Sequence, residues 1–242
     1  ITGQTYPNLQ IIISDNASTD PGVAEVVHDF VGLDNRIQYF CQSENRGPAF
    51  NFQFVREKAN GEYFMWAADD DWRDERFIEE LLSLLIHNPT ASIAFCDFQE
   101  TYEDGKRATG YPDHLRYLKP FTIRNKNIRS ICYFMQNGYN GKANLIYGLF
   151  RYESIKNLNW NEMIAKHGFY GIDMLIIYTI LQSGFLVYTD HLLYKCTVNN
   201  FKYYESNKVN ISFLMKLFNF VSGMALQAKS TIQYLKVSSG VL

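Results

Sequence analysis

Apolar runs alternate with amphipathic stretches through the first hundred residues, and this alternation predicts strands and helices in turn. Strands are predicted where a short apolar run ends at an acid or a turn, at residues 8–15, 36–41, 62–68 and 92–98. Helices are predicted where a cap or a proline precedes a helical stretch, at residues 21–30, 48–59 and 75–87. Strand–helix alternation of this length indicates right-handed crossovers and an open α/β sheet.

After residue 98 the alternation becomes irregular. An Asp-Gly turn at residues 103–106 predicts a hairpin, and residues 144–152 predict a further strand. Later segments predict a helix, two short strands and a last helix, at residues 171–182, 185–189, 192–198 and 211–236. No internal repeat and no clear linker divides the chain.

The composition indicates one folded domain. The chain has 242 residues, of which 47% are hydrophobic, and its formal net charge is −2. This content supplies a core and excludes a disordered chain, while the balanced charge gives no basic surface for a nucleic acid. Four scattered cysteines without a CxxC pair are typical of thiols in a reducing, cytoplasmic compartment. The longest apolar stretch, residues 174–189, is interrupted by polar residues, so no transmembrane helix is predicted.

Acidic and amide side chains follow several predicted strands, at the point where each strand ends. They are Asp15 and Asn16 after the first strand, Asp69, Asp70 and Asp71 after the third, and Asp97 at the end of the fourth. Ligands of open α/β sheets bind at this edge, and clustered carboxylates need a cation or a donor-rich ligand to offset their repulsion. Oxygen ligands without His or Cys favour Mg²⁺ or Mn²⁺.

The acids of this group have different expected roles. Asp71, like Asp20 and Asp74, is interpreted as a helix cap or a solvated loop residue. Asp69 and Asp70 follow an aromatic strand that is expected to be buried, so a ligand-binding role is favoured for both.

At these residues the chain resembles the inverting family 2 glycosyltransferases with the GT-A fold. The similarity runs in order through three blocks, QTYPNLQIIISDNASTD, NRGPAFNFQFVREKANGEYFMWAADDDW and GIDMLIIYTILQSGF. The resemblance implies an α/β fold, with an open, mostly parallel sheet flanked by helices and a C-terminal helical segment. It implies a catalytic domain at residues 1–205, with a nucleotide-sugar half at 1–98 and an acceptor half at 99–205, followed by a C-terminal helix at 206–242.

The resemblance also implies a role for individual residues. Asp15 and Asn16 are expected against the base and ribose of a nucleotide-diphosphate sugar, and Asp69 near its ribose and diphosphate. Asp70 is expected on a divalent metal, Mn²⁺ or Mg²⁺, and Asp173 as the catalytic base. A loop that lines the nucleotide side is expected at Asn45, Arg46 and Gly47.

The chain departs from the family pattern at four places. Asn16 stands where the family usually has a second acid, and Ala67 where the acidic motif usually begins. A late His near the metal has no counterpart, and Thr197 lies at about its position. The usual first strand should lie upstream of Gln4, so the chain is expected to be N-terminally truncated.

The resemblance implies transfer of a sugar from a nucleotide-diphosphate sugar to an acceptor hydroxyl with inversion. The acceptor is expected to be a saccharide or lipid-linked, in cell-surface polysaccharide or glycolipid synthesis. Three other hypotheses remain open: a catalytically impaired sugar-nucleotide-binding protein, a metal-dependent nucleotidyltransferase and an aspartyl phosphatase. The last lacks the Lys and second acidic loop that it would need.

The predicted C-terminal helix carries two apolar stripes. One stripe is enough to dock the helix on its own domain, so the second predicts a homodimer or a peripheral contact at the inner face of the membrane. Aromatic and His side chains in the acceptor half are candidates for binding sugar rings, or equally for ordinary packing. They are Tyr102, Tyr111, His114, Trp160, His167 and Tyr170.

Overall fold

The computed structural model describes residues 1–102, 106, 114–136, 141–167 and 172–198. Its strands are β1 (Ile11–Asp15), β2 (Ile37–Cys41), β3 (Tyr63–Phe64), β4 (Trp72–Arg73), β5 (Ala91–Tyr102), β6 (Leu149–Arg151) and β7 (Phe185–Val198). Its α-helices are α1 (Pro21–Leu33), α2 (Pro48–Lys58), α3 (Phe77–His87), α4 (His114–Leu118), α5 (Lys126–Met135), α6 (Trp160–His167) and α7 (Ile172–Ser183). Short 3-10 helices span Lys119–Thr122, Lys142–Tyr147 and Tyr152–Ser154.

The strands form two sheets. β1 and β2 pair in parallel as a two-stranded sheet, and the other five strands form a sheet in the order β3-β6-β5-β7-β4. In the larger sheet only β5 and β7 run parallel, whereas β6 and β4 pair antiparallel with their neighbours. The larger sheet is therefore mixed, with long parallel pairing between β5 and β7 and short antiparallel pairs at β3–β6, β5–β6 and β4–β7.

Gly148 allows β6 to lie close against β5. A 3-10 helix leads into β6, and Gly148 joins the two. A Cβ atom at Gly148 would lie 2.6 Å from the carbonyl oxygen of Ala94, so only glycine allows this close approach to β5.

Most elements of the first hundred residues agree with their predicted positions. Asp20 caps α1 by accepting a hydrogen bond from the amide of Gly22, and Pro48 begins α2 as expected. The predicted third strand at 62–68 is limited to β3, because the chain after Phe64 leaves the sheet. The predicted strands at 185–189 and 192–198 are one strand, β7, with an irregular register around residues 189–191.

The core lies around β5 and the end of β3. Residues 91–96 are all buried, so both faces of β5 are covered, and α3 and α7 pack against this strand. Beside β3 the aromatic rings form a cluster of edge and stacked contacts that consists of Phe52, Phe64, Trp66, Phe150 and Trp160.

Some predictions fall outside the described residues. These are the turn of the 103–106 hairpin, the C-terminal helix at 206–242 with its dimer or membrane contact, and Tyr111 and Tyr170. His167 ends α6, but its side chain also lies outside the description. Among the helices that are described, none has the length and apolar content needed to cross a membrane.

Candidate active site

Asp15 ends β1 with a buried carboxylate that accepts hydrogen bonds from three directions. The amide of Ser18 donates to Oδ1 at 2.8 Å, and the Tyr39 hydroxyl donates to Oδ2 at 3.0 Å. The Cys41 thiol approaches Oδ2 at 3.9 Å. The hydrogen bonds from Ser18 are the main reason that the pKa of Asp15 is lowered, and burial and the bond to Asp15 raise the pKa of Tyr39 to about 12. Asp15 is therefore held ionised at the end of its strand.

The next residues turn sharply toward the loop before α2. Ala17 has φ of 61°, a left-handed conformation that few non-glycine residues adopt. Asn16 donates from Nδ2 to Oδ1 of Asn45 at 2.9 Å and accepts the Arg46 amide at Oδ1, at 3.1 Å. The Gly47 amide also donates to Oδ1 of Asn45, at 2.9 Å. The structure thus brings together four residues that were predicted to line the nucleotide side.

The amide of Asn16 explains why an acid is not needed at that position. A carboxylate could accept from the Arg46 amide but could not donate to Asn45. Since Asn16 makes both bonds, it ties the β1 loop to the loop that precedes α2.

A second set of hydrogen bonds, which sequence reasoning did not find, fixes β1 against α2. The Ser14 hydroxyl donates to Oδ1 of Asn51 at 2.6 Å, and Nδ2 of Asn51 donates to the Ser14 carbonyl at 2.9 Å. Gln42 donates to the Ser14 hydroxyl at 3.1 Å. No spacing in the sequence signals this network, because its members come from β1, from α2 and from the residue that follows β2.

Asp71 anchors the acidic loop, which is residues 65–71 between β3 and β4, to β7. Its Oδ2 accepts the Tyr194 hydroxyl at 2.6 Å, and its Oδ1 accepts the Thr197 amide at 3.2 Å. The Thr197 hydroxyl donates to the backbone carbonyl of Asp70. Burial raises the pKa of Asp71 and, together with the bond to Asp71, raises the pKa of Tyr194. The expectation of a cap or a solvated loop residue at Asp71 is therefore wrong.

Arg73 supplies the positive charge beside this anchor. Its guanidinium lies 5.0 Å from the centre of the Tyr194 ring and donates from Nη2 to the Trp66 carbonyl at 3.2 Å. Burial lowers the pKa of Arg73, while the nearby Asp71 carboxylate opposes this effect. The loop between Trp66 and Arg73 is consequently held at both ends.

Asp69 and Asp70 project from this anchored loop with exposed side chains. Within the described part of the chain, no protein group donates a hydrogen bond to either carboxylate, in contrast to Asp71. No three His, Cys, Asp or Glu side chains in that part form a group that could hold a metal ion. Two free carboxylates fit Mg²⁺ or Mn²⁺, because these ions commonly use one or two carboxylates and complete their shell with phosphates of the substrate.

Asp173 lies in the first turn of α7 and is half-buried. Its Oδ1 accepts a hydrogen bond from the Met174 amide at 2.8 Å. No donor to Oδ2 is found among the residues that the structure describes, which leaves this oxygen able to accept a proton.

Asp97 lies within the central strand β5 and not at its end, so the predicted position at the end of the fourth strand is wrong, and it is paired with a buried histidine. Oδ1 of Asp97 lies 3.0 Å from Nδ1 of His114, and the edges of Phe95 and Phe98 surround the imidazole ring. Burial lowers the pKa of His114, against the pull of the Asp97 carboxylate. His114 therefore belongs to the core and not to an open sugar-binding surface, and the same is true of buried Trp160.

Comparison with curated proteins finds glycosyltransferases of several bacteria. An uncharacterized glycosyltransferase of Haemophilus influenzae is 30% identical over 100 residues, which are 40% of each chain. Glycosyltransferase GlyG of Streptococcus pneumoniae is 36% identical over 81 residues, 34% of this chain and 27% of the relative. The putative teichuronic acid biosynthesis glycosyltransferase TuaG of Bacillus subtilis is 27% identical over 106 residues, 43% of this chain and 41% of the relative. The chain thus spans less than half the length of these relatives.

The fold is also found in solved structures. TarS of S. aureus, residues 1–349, has a TM-score of 0.60 and 13% identity, over 81% of this chain and 53% of that chain. Its complex with UDP has a TM-score of 0.59 and 14% identity, over 84% and 56% of the two chains. This likeness confirms the predicted GT-A fold. Since the family model described as glycosyl transferase family 2 matches residues 1–144, more than half of the sequence, the chain belongs to that family.

Proposed function

We propose that this protein transfers a sugar from a nucleotide-diphosphate sugar to an acceptor hydroxyl with inversion, in the synthesis of a cell-surface polysaccharide or glycolipid. The observation that carries the proposal is the contrast within the acidic loop. Asp71 is bound by Tyr194 and Thr197, while Asp69 and Asp70 are exposed and accept no hydrogen bond from the described residues. Such a loop offers carboxylates to a ligand from a fixed backbone.

Asp15 and Asn16 bind the nucleoside in this proposal. The ionised carboxylate of Asp15 and the turned amide of Asn16 stand at the end of β1, where ligands of α/β sheets bind. Asn45, Arg46 and Gly47 form the adjoining wall. The exposed guanidinium of Arg46 lies 3.8 Å from the centre of the Phe50 ring, which keeps a positive charge at the start of α2.

Asp69 lies against the ribose and diphosphate, and Asp70 would hold a divalent metal, Mn²⁺ or Mg²⁺. A bound divalent ion stabilises the negative charge that develops on a leaving diphosphate. The rigid anchoring of Asp71 fixes the backbone on which both carboxylates stand, so little ordering is needed when the donor binds.

Asp173 acts as the base. Its free oxygen takes the proton of the acceptor hydroxyl while the acceptor oxygen forms a bond to the anomeric carbon of the donor. The bond from that carbon to the diphosphate breaks at the opposite face, and the nucleoside diphosphate leaves with the electron pair. Attack opposite the leaving group inverts the anomeric configuration.

The experiment is incubation of the protein with Mn²⁺ and a panel of UDP-, GDP- and dTDP-sugars, with and without saccharide acceptors. Release of a nucleoside diphosphate that depends on an acceptor supports the proposal. Release of pyrophosphate indicates a nucleotidyltransferase instead, and binding without any release indicates a sugar-nucleotide-binding protein. Asp173→Asn is the matched control, because it preserves the shape of the side chain while removing the base.

A further inference from the structure

Helix α5 holds helix α7 near both of its ends through buried side chains. In the last turn of α7, Arg129 donates to the Leu181 carbonyl from Nε at 2.9 Å and from Nη2 at 2.7 Å. In the first turn, the Tyr133 hydroxyl donates to the Met174 carbonyl at 2.6 Å. Arg129 and Tyr133 are 3% and 0% exposed, so these bonds have little competition from water.

The first turn of α7 is the part that carries Asp173. The Met174 amide donates to Oδ1 of Asp173, and the Met174 carbonyl accepts the Tyr133 hydroxyl. A single residue therefore connects the phenol of Tyr133 to the carboxylate of Asp173. Helix ends open more readily than helix centres, so a hydrogen bond from outside the helix restricts the carboxylate most at this position.

Tyr133 is itself held in one orientation. Nζ of Lys142 donates to the carbonyls of Tyr133 and Gln136, both at 2.8 Å, and lies 4.3 Å from the centre of the Tyr133 ring. The ring of Phe121 packs against it with centres 5.3 Å apart. A change in the rotamer of Tyr133 would disrupt this buried packing, so its hydroxyl is a fixed donor.

We infer that Tyr133 is a positioning residue for Asp173, and that its hydroxyl keeps the first turn of α7 in the orientation from which the carboxylate takes the acceptor proton. The inference rests on the proposed function, because it assigns Asp173 the role of the base. Tyr133 touches neither substrate nor reacting atoms in this account; it acts through the Met174 peptide.

The test compares Tyr133→Phe with Tyr152→Phe in the full chain. Each substitution removes one phenol hydroxyl that donates to a backbone carbonyl, from Tyr133 to Met174 and from Tyr152 to Arg56. We expect kcat for sugar transfer to fall about tenfold in Tyr133→Phe, because a displacement of about 1 Å can cost about a hundredfold and the loss of one hydrogen bond should move the carboxylate by less. The Kd for the donor should not change, and Tyr152→Phe should keep the wild-type kcat.

Two further measurements separate positioning from general damage. In the Asp173→Asn background, Tyr133→Phe should lower the residual turnover no further, since the side chain that it positions has lost its function. Amide hydrogen exchange should become faster in the first turn of α7 and stay unchanged in the last turn, where Arg129 still binds.

An equal, tenfold loss of turnover in the Asp173→Asn background would overturn the inference, as would an equal loss of donor affinity and kcat. An unchanged exchange rate in the first turn of α7 would overturn it without any activity measurement. If the wild-type protein releases no nucleoside diphosphate from any donor, the proposed function is wrong, and the exchange data still show whether Tyr133 holds the helix.

Discussion

The hydroxyl of Tyr194 donates to Oδ2 of Asp71 at 2.6 Å, although 123 positions separate the two residues in the sequence. This bond fastens the loop after β3 to the strand at the other side of β5. Of the three consecutive aspartates, Asp71 is therefore bound within the protein, while Asp69 and Asp70 stay open to a ligand. Substitutions of Asp70 and Asp71 should for this reason have different effects.

Asp70→Asn should weaken Mn²⁺-dependent binding of the donor by at least about tenfold, since even residues behind a metal ligand have effects of this size. Asp71→Asn should have a smaller effect on binding and should lower the melting temperature, because Asp71 accepts from two protein donors. Calorimetric titration with and without Mn²⁺, together with thermal unfolding, measures both effects. Equal and mild losses of binding in the two variants would remove Asp70 from the metal site.

Tyr194→Phe should lower the free energy of unfolding by about 1–3 kcal/mol, because it leaves a half-buried carboxylate oxygen without its donor. Tyr152→Phe is the control, since its hydroxyl bonds a backbone carbonyl at a longer 3.2 Å. Chemical denaturation at neutral pH gives both values. If Tyr194→Phe is no less stable than the control, the bond to Asp71 does not hold the loop.

Asp173→Asn should lower transfer by about 10²–10⁴-fold while the Kd for the donor stays within about twofold of the wild-type value, because a base acts on the acceptor and not on donor binding. Single-turnover assays and donor titration measure the two quantities separately. A donor affinity that falls as far as turnover would place Asp173 in the donor-binding shell, and transfer near the wild-type rate would exclude it from the reaction.

Lys142 should make stability depend on pH above neutrality. Burial lowers its pKa to about 8 in the folded protein, from its ordinary value of 10.5. Between these two values the unfolded chain binds more protons than the folded one, so the contribution of Lys142 to stability rises with pH, from about 8 upward. The difference in unfolding free energy between wild type and Lys142→Met should therefore shift in favour of wild type from pH 7.5 to pH 9.5.

The comparison with Lys142→Met is needed because the thiol of Cys196 acts in the opposite direction. Burial raises its pKa to about 12, so it retains its proton in the folded protein at a pH where an unfolded thiol ionises. Both proteins share this loss of stability, and it cancels in the difference. A difference that does not change with pH would show that Lys142 keeps an ordinary pKa.

The helices and strands near the N-terminus could be predicted because their signals are local. Asp20 and Pro21 cap and begin α1, and Pro48 begins α2, within one or two residues of each signal. The meeting of Asn16 with Asn45 could be anticipated as well, because the ends of two neighbouring parallel strands lead to the same edge.

The anchoring of the acidic loop could not be predicted, because its partners lie more than 120 positions away on β7. The length of the third strand was wrong for a related reason. The apolar run after Tyr63 indicates burial, and Trp66 is indeed buried, but by packing against the rings of Phe52 and Phe64 and not by pairing in a sheet. Its indole N–H donates to the Phe52 carbonyl. Hydrophobic pattern reports burial and does not distinguish these two ways of achieving it.

The distance in sequence between paired strands also determines the order in which their contacts can form while the ribosome synthesises the chain. β1 and β2 join residues only 26 positions apart, as in the approach of Cys41 to Asp15, so the proposed nucleoside-binding end can form early. The acidic loop can be anchored only after Thr197 has been synthesised, because the Thr197 amide, 126 positions beyond Asp71, donates to the Asp71 carboxylate. Contacts of such long range form slowly because the intervening chain must first be closed into a loop. A nascent chain that stops before β7 thus has Asp69 and Asp70 but no fixed backbone to carry them, and the proposed metal-binding edge is complete only when β7 has been added.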